Sequence, residues 1–163
     1  MGTKRKKQSS LTGSTDTRCR LGERPKTDKG FFEEMTKAVF RSGMKWDVID
    51  KKWPDFKKAF ANFSIQKVSR FGDPELERLM NDEGIIRNHK KIIATLKNAC
   101  GFQNLRKEYG SFAKYLKTTG REGEEALTKD LSKRFAYMGG STTLFFLRAV
   151  GEKMPEMMRQ RQG

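Results

Sequence analysis

"GIIRNHKKI", residues 84–92, decides how this chain is read. Gly84 ends one helical stretch, Ile85 and Ile86 are apolar anchors, and Asn88 is of the residue class that caps helix N-termini. A plain helix–helix turn uses the glycine and the cap, but has no need of Arg87, His89, Lys90 and Lys91 crowded around them. At the start of the second helix the backbone N–H groups have no intrahelical acceptor, and the positive end of the helix dipole stands behind them. A phosphate oxygen fits there. Gly84, Ile85, Ile86, Arg87, Asn88, His89, Lys90 and Lys91 are therefore candidate DNA-contacting residues of a helix–hairpin–helix, with the two isoleucines anchoring the turn. Such contacts position a protein on a duplex without reading its sequence. The same residues would equally serve an αα-hairpin with a solvated basic patch.

The charge of the whole chain favours the first alternative. Its 163 residues suit one domain and carry 35 Lys and Arg against 20 Asp and Glu, a formal net charge of +15. About +6 of this lies in residues 1–29 and the rest in the segment that must fold. So large an excess points to a polyanion, with nucleic acid ahead of a membrane surface. A basic protein whose charge serves only solubility is the alternative.

Outward from the hairpin the pattern is helical almost throughout. "FFEEMTKAVFRSG" places Phe32, Met35 and Val39 on one face, with Gly43 as a stop. "MKWDVIDKKW" reads as a short helix ended by Pro54, which opens "PDFKKAFANF". Ser64 caps "SIQKVSRF", and "DPELERLMND" has Asp at the cap and Pro at the first helical position. A long helix runs from Asn88, followed by "SFAKYLKTT", "EEALTKDLSKRF" and "STTLFFLRAV", the last capped by Ser141. No alternating strand pattern interrupts them, so the fold class is all-α. In "YMGGSTTLFF", Gly139, Gly140, Ser141 and Thr142 form a second loop entering a helix, a further candidate DNA contact or simply a glycine turn with a cap.

Three regions follow. Residues 1–29 form a basic N-terminal arm too poor in apolar residues to offset its ordering entropy, residues 30–151 the helical domain, and residues 152–163 a basic C-terminal tail. Two cysteines, Cys19 and Cys100, make no disulfide framework and suit a reducing compartment. No apolar run approaches the roughly 20 residues that span a bilayer, and no secretory signal is visible. A monomer in the cytoplasm is expected, associated with the nucleoid in a bacterium or archaeon, or nuclear in a eukaryote.

The anchors "GMKW", "GIIRNHKKI" and "SKRF…MGGSTT" occur together, in order, and the stretch from about residue 25 to 151 resembles bacterial 3-methyladenine DNA glycosylase I. The resemblance implies a helix–hairpin–helix glycosylase fold, two helical lobes with a base pocket between them. It also implies excision of 3-methyladenine-type bases from duplex DNA, by flipping the damaged nucleotide out of the stack in base excision repair. On this likeness Trp46 is the stacking tryptophan and Gly43 the glycine before it. A cationic alkylated base suits an aromatic face and is a good leaving group.

The departures are specific. The base-contacting glutamate eight residues before the tryptophan is Ala38 here, and Phe40 stands where the resemblance has a polar residue and would make the pocket more apolar. Glu34, one turn before Ala38, and Asp47, beside Trp46, are the candidate substitute catalytic carboxylates. The zinc site of the resembling enzymes uses Cys and His near both termini. This chain has a single histidine, His89, and no Cys or His in "MPEMMRQRQG", so no metal is expected, and no other cofactor. The Tyr/Trp/His-rich N-terminal segment that builds one pocket wall is missing too. The expected partner is double-stranded DNA containing alkylated bases, with no membrane. A DNA-binding protein that keeps the fold without the chemistry is the alternative.

Overall fold

The computed structural model describes residues 21–152, and among them eight α-helices and no strand. They are α1 (Asp28–Arg41), α2 (Trp46–Ala59), α3 (Ile65–Val68), α4 (Asp73–Met80), α5 (His89–Tyr109), α6 (Phe112–Gly120), α7 (Glu124–Arg134) and α8 (Ser141–Ala149). The rest of the expected arm, residues 1–20, and nearly all of the tail, residues 153–163, lie outside the described residues.

Helices α1 and α5 run through the middle. Helices α2–α4 form one lobe against them and α6–α8 the other. The core they share is aromatic. Phe32, Phe102 and Phe112 are 0–1% exposed, with Phe32 and Phe102 centroids 5.5 Å apart and Phe102 and Phe112 centroids 4.8 Å apart. Off-centre ring pairs of this kind add to the burial of area. Asp28 ties the start of α1 to α5 and α6: its carboxylate accepts from Phe112 N at 2.9 Å and from Arg106 Nε at 3.0 Å.

Several expected boundaries move. Pro54 does not divide two helices but lies inside α2. A proline there costs the bond to the carbonyl of Asp50; both residues are exposed, so water can take that acceptor. The cap of α4 is Gly72, whose N–H donates to Glu75 Oε1 at 2.7 Å, with Asp73 already inside the helix. The cap of α8 is Gly140, at φ +54°, and Ser141 is the first helical residue. Other caps stand where the residue types put them. Ser64, Asn88 and Ser111 accept from the N–H of Lys67, Lys91 and Lys114.

Residues 21–27, within the stretch read as an arm, lie along α8. Gly22 N donates to Arg148 O at 2.8 Å, and a Cβ at Gly22 would sit 2.1 Å from Ala149 O. Only glycine permits so close an approach. Arg24 pairs with Glu152 at 2.6 Å, fastening the strap to the end of the same lobe.

Candidate active site

A cavity of about 870 Å³ lies between the lobes. Its floor is α1, through Glu33, Glu34, Ala38 and Arg41. One side is the start of α2, through Trp46 and Asp50; the other is α8, through Phe145, Arg148 and Ala149. The strap of residues 21–26 closes the remaining wall, a charged one carrying Glu23, Arg24 and Lys26. Its size is within the range of ligand sites.

Glu34, Ala38 and Arg41 share the cavity because residues three and four apart on a helix lie on one face. Ala38 is 6% exposed and presents a methyl group where a longer side chain would reach into the space. Every acidic side chain on the floor and on the α2 side has a basic partner. Glu34 lies 3.4 Å from Lys37, Asp50 lies 2.5 Å from Arg41, and Glu33 lies 3.6 Å from Lys57 while accepting from Trp53 Nε1 at 2.8 Å.

Trp46 is half-buried at the first position of α2. The Arg41 guanidinium carbon stands 4.6 Å from its ring centroid, and the Phe145 ring meets it nearly perpendicularly at 5.3 Å. The loop before it contains Gly43 in the left-handed region, at φ +74°, with open space around its Cα. That loop, residues 42–45, is held from below by Lys91. The Lys91 Nζ donates to Phe40 O at 3.0 Å and to Ser42 O at 2.5 Å, closing the C-terminal end of α1.

Two expected contacts change meaning as a result. Lys91 is 4% exposed, and burial pushes its pKa below the usual lysine value. It is a structural clamp between the hairpin and the 42–45 loop, not a side chain on the surface for a phosphate. Phe40 does not line the cavity. It is fully buried and meets Phe56 edge-on at 4.7 Å, because two residues beyond Ala38 is about 200° around the helix. Asp47, exposed beside Trp46, also lies outside the lining, whereas Glu34 is part of it. Sequence reasoning missed Arg41 and Asp50. Their signal was present in the spacing, since Arg41 follows Ala38 by three residues and Asp50 follows Trp46 by four.

The hairpin is built as its residues suggest, with one difference. Helix α4 ends at Met80, and Gly84 serves a close approach: a Cβ there would lie 2.9 Å from Asp55 Cβ. Asp82 accepts from Gly84 N at 2.8 Å and fixes the turn. Ile85 is buried and Ile86 half-buried, while Arg87, His89 and Lys90 are exposed. Asn88 Oδ1 takes the N–H of Lys91 at 3.1 Å, so the N–H groups of His89 and Lys90 open the helix toward solvent. In the second loop Gly139, Gly140 and Ser141 are exposed, but Thr142 is 5% exposed and turned into the fold. The two loops are neighbours: the Tyr137 ring centroid lies 6.0 Å from Lys91 Nζ.

A family model described as methyladenine glycosylase matches residues 21–157. The chain belongs to the methyladenine glycosylase family. Among relatives in that family, DNA-3-methyladenine glycosylase 1 of Escherichia coli (strain K12) is 27% identical over 147 residues, covering 78% of this chain and 79% of the relative. The DNA-3-methyladenine glycosylase of Haemophilus influenzae is 24% identical over 139 residues, covering 74% and 75%. A solved structure of 3-methyladenine DNA glycosylase I from Staphylococcus aureus superposes with a TM-score of 0.74 at 25% identity, covering 85% of this chain and 87% of that one.

The described residues include one histidine, His89, and one cysteine, Cys100, both on α5. They stand eleven positions apart on that helix, about 16 Å along the axis. Among the described residues no three His, Cys, Asp or Glu side chains converge on one point.

Proposed function

We propose that this chain is a DNA N-glycosylase that excises alkylated bases from duplex DNA by flipping them into the cavity beside Trp46. The observation that carries this is the joint position of Trp46 and Ala38. Both line one cavity between the lobes of a methyladenine glycosylase family member. The exposed start of α5 supplies phosphate contacts through Arg87, Lys90 and two outward N–H groups. Cavity and hairpin belong to one chain, so a monomer suffices.

A flipped N-alkylated purine carries a positive charge in its ring and stacks on Trp46. Water attacks the sugar C1′ as the bond from C1′ to the base breaks. The bonding pair returns to the base and neutralises it, the sugar keeps the water oxygen, and a proton is released. Glu34 is the cavity carboxylate one turn from Ala38 and is assigned to accept that proton. A labile cationic base needs little acid catalysis, so a methyl group at position 38 is compatible with turnover.

The test is single-turnover release from methylated duplex DNA by the native chain, Glu34→Gln and Asp47→Asn. Release should fall for Glu34→Gln and hold for Asp47→Asn, which lies outside the cavity. A second reading, a DNA-binding protein without chemistry, draws on the paired state of the carboxylates on α1 and α2. Salt-sensitive binding with no release of any methylated base would favour it.

A further inference from the structure

Any N-alkylated purine brings a positive charge to Trp46, and the charge already beside that ring is positive too, so charge does not choose between the bases and hydrogen bonding must. Position 38 offers a methyl group, and the charged group over the tryptophan is the Arg41 guanidinium, 4.6 Å from the ring centroid. Asp50 holds it there at 2.5 Å through Nη2. Arg41 is substantially shielded, with its side chain 20% exposed, and Nε is buried with no hydrogen-bond partner. A buried unpaired donor costs stability, and here it belongs to a side chain placed by stacking and by one carboxylate.

A guanidinium has donors only and can be neither neutralised nor turned into an acceptor. Against a purine it discriminates by the group at the ring's six position. A guanine presents a carbonyl oxygen there and accepts, whereas an adenine presents an amino group and meets donor with donor. The lining balances charge overall, with Glu23, Glu33 and Glu34 also present, but those carboxylates on the floor have basic partners of their own.

We propose that Arg41, braced by Asp50 over Trp46, makes this cavity selective for N-alkylated guanines, which carry a carbonyl oxygen, over alkylated adenines. This rests on the glycosylase reading above and narrows its substrate. Arg41 acts as a specificity-determining residue: its N–H groups donate to the carbonyl oxygen of the flipped base. Both alkylated purines meet the same positive charge, but only an adenine also leaves the guanidinium donors facing an amino group. Ala38 belongs to the same device, since a carboxylate at that position, three residues before Arg41 on one face, would pair with the guanidinium and cancel it.

The experiment uses duplex DNA treated with dimethyl sulfate, so that 3-methyladenine, 3-methylguanine and 7-methylguanine are present together. The free bases released in a single turnover are quantified for the native chain, Arg41→Gln and Ala38→Glu. Thermal melting of each variant keeps loss of fold separate from loss of selectivity. The native chain should release at least one methylguanine about tenfold faster per lesion than 3-methyladenine, the scale a hydrogen-bonding site achieves at its lower end. Arg41→Gln should collapse that ratio to within about twofold, by slowing guanine release and not adenine release. Ala38→Glu should move the ratio toward 3-methyladenine even if Arg41→Gln does not fold. Preferential release of 3-methyladenine by the native chain would overturn the proposal and leave the glycosylase standing. So would a ratio unchanged in a folded Arg41→Gln. Release of no base by the native chain would overturn the glycosylase reading and this proposal with it.

Discussion

Trp46 and Trp53 stand seven residues apart on α2, two turns along the same face, and they have opposite surroundings. Trp53 is 6% exposed, stacked between Phe56 at 4.9 Å and Phe63 at 5.3 Å, and its indole N–H donates to Glu33. Every part of that side chain is accounted for by the core. Trp46 has a guanidinium over its ring, a phenylalanine set perpendicular to it, and a cavity beside it. Helical spacing alone assigns both to the interior. What separates them is what the rest of the fold brings alongside: aromatic rings from the same lobe for Trp53, and a gap between lobes for Trp46. One tryptophan holds the molecule together and the other is available to a ligand.

Substitutions can break that contrast. Trp53→Ala should cost about 3–5 kcal/mol in denaturant unfolding, because it opens a cavity in a packed stack and leaves the Glu33 carboxylate without its indole donor. A loss below about 1 kcal/mol would mean that Trp53 is not a core residue. The double change Arg87→Ala with Lys90→Ala should weaken binding to undamaged duplex about tenfold at physiological salt and lower the salt slope by about 2. An unchanged slope would remove the hairpin from the DNA surface. Asn88→Ala should destabilise by about 1 kcal/mol through loss of the cap at α5, and should weaken DNA binding through the same disordered first turn. Trp46→Ala should cost the least stability, at most about 1 kcal/mol by unfolding, since the side chain is only partly buried. A loss as large as that of Trp53→Ala would erase the distinction between the two.

The hairpin was legible because its physics is local. Asn88 caps α5 through its own side chain, Ile85 is buried by its own hydrophobicity, and Arg87 and Lys90 are exposed by their charge. The all-α class was legible for the same reason, from helical periodicity and from caps such as Ser64 and Asn88. Lys91 was misread because its burial is made by a distant segment, the carbonyls of Phe40 and Ser42 some 50 positions earlier. No local pattern marks a lysine as a clamp. Phe40 was misread by counting from a motif without turning the helix. Trp46 came from the family resemblance and not from periodicity, which cannot distinguish it from Trp53. Arg41 and Asp50 were readable as neighbours on their helices, but their meeting over Trp46 needed the turn at residues 42–45 that folds α2 back on α1.

Everything proposed for this chain turns on whether the cavity beside Trp46 receives and releases a damaged base. The most direct test is single-turnover base release from one methylated duplex by the native chain and by Trp46→Ala, with binding to undamaged duplex measured on the same preparations. The native chain should release the base, Trp46→Ala should release it at least about 100-fold more slowly, and the undamaged-duplex affinities should lie within about twofold of each other. Equal loss of release and binding in a folded Trp46→Ala, or native binding with no release at all, would contradict that role of the cavity.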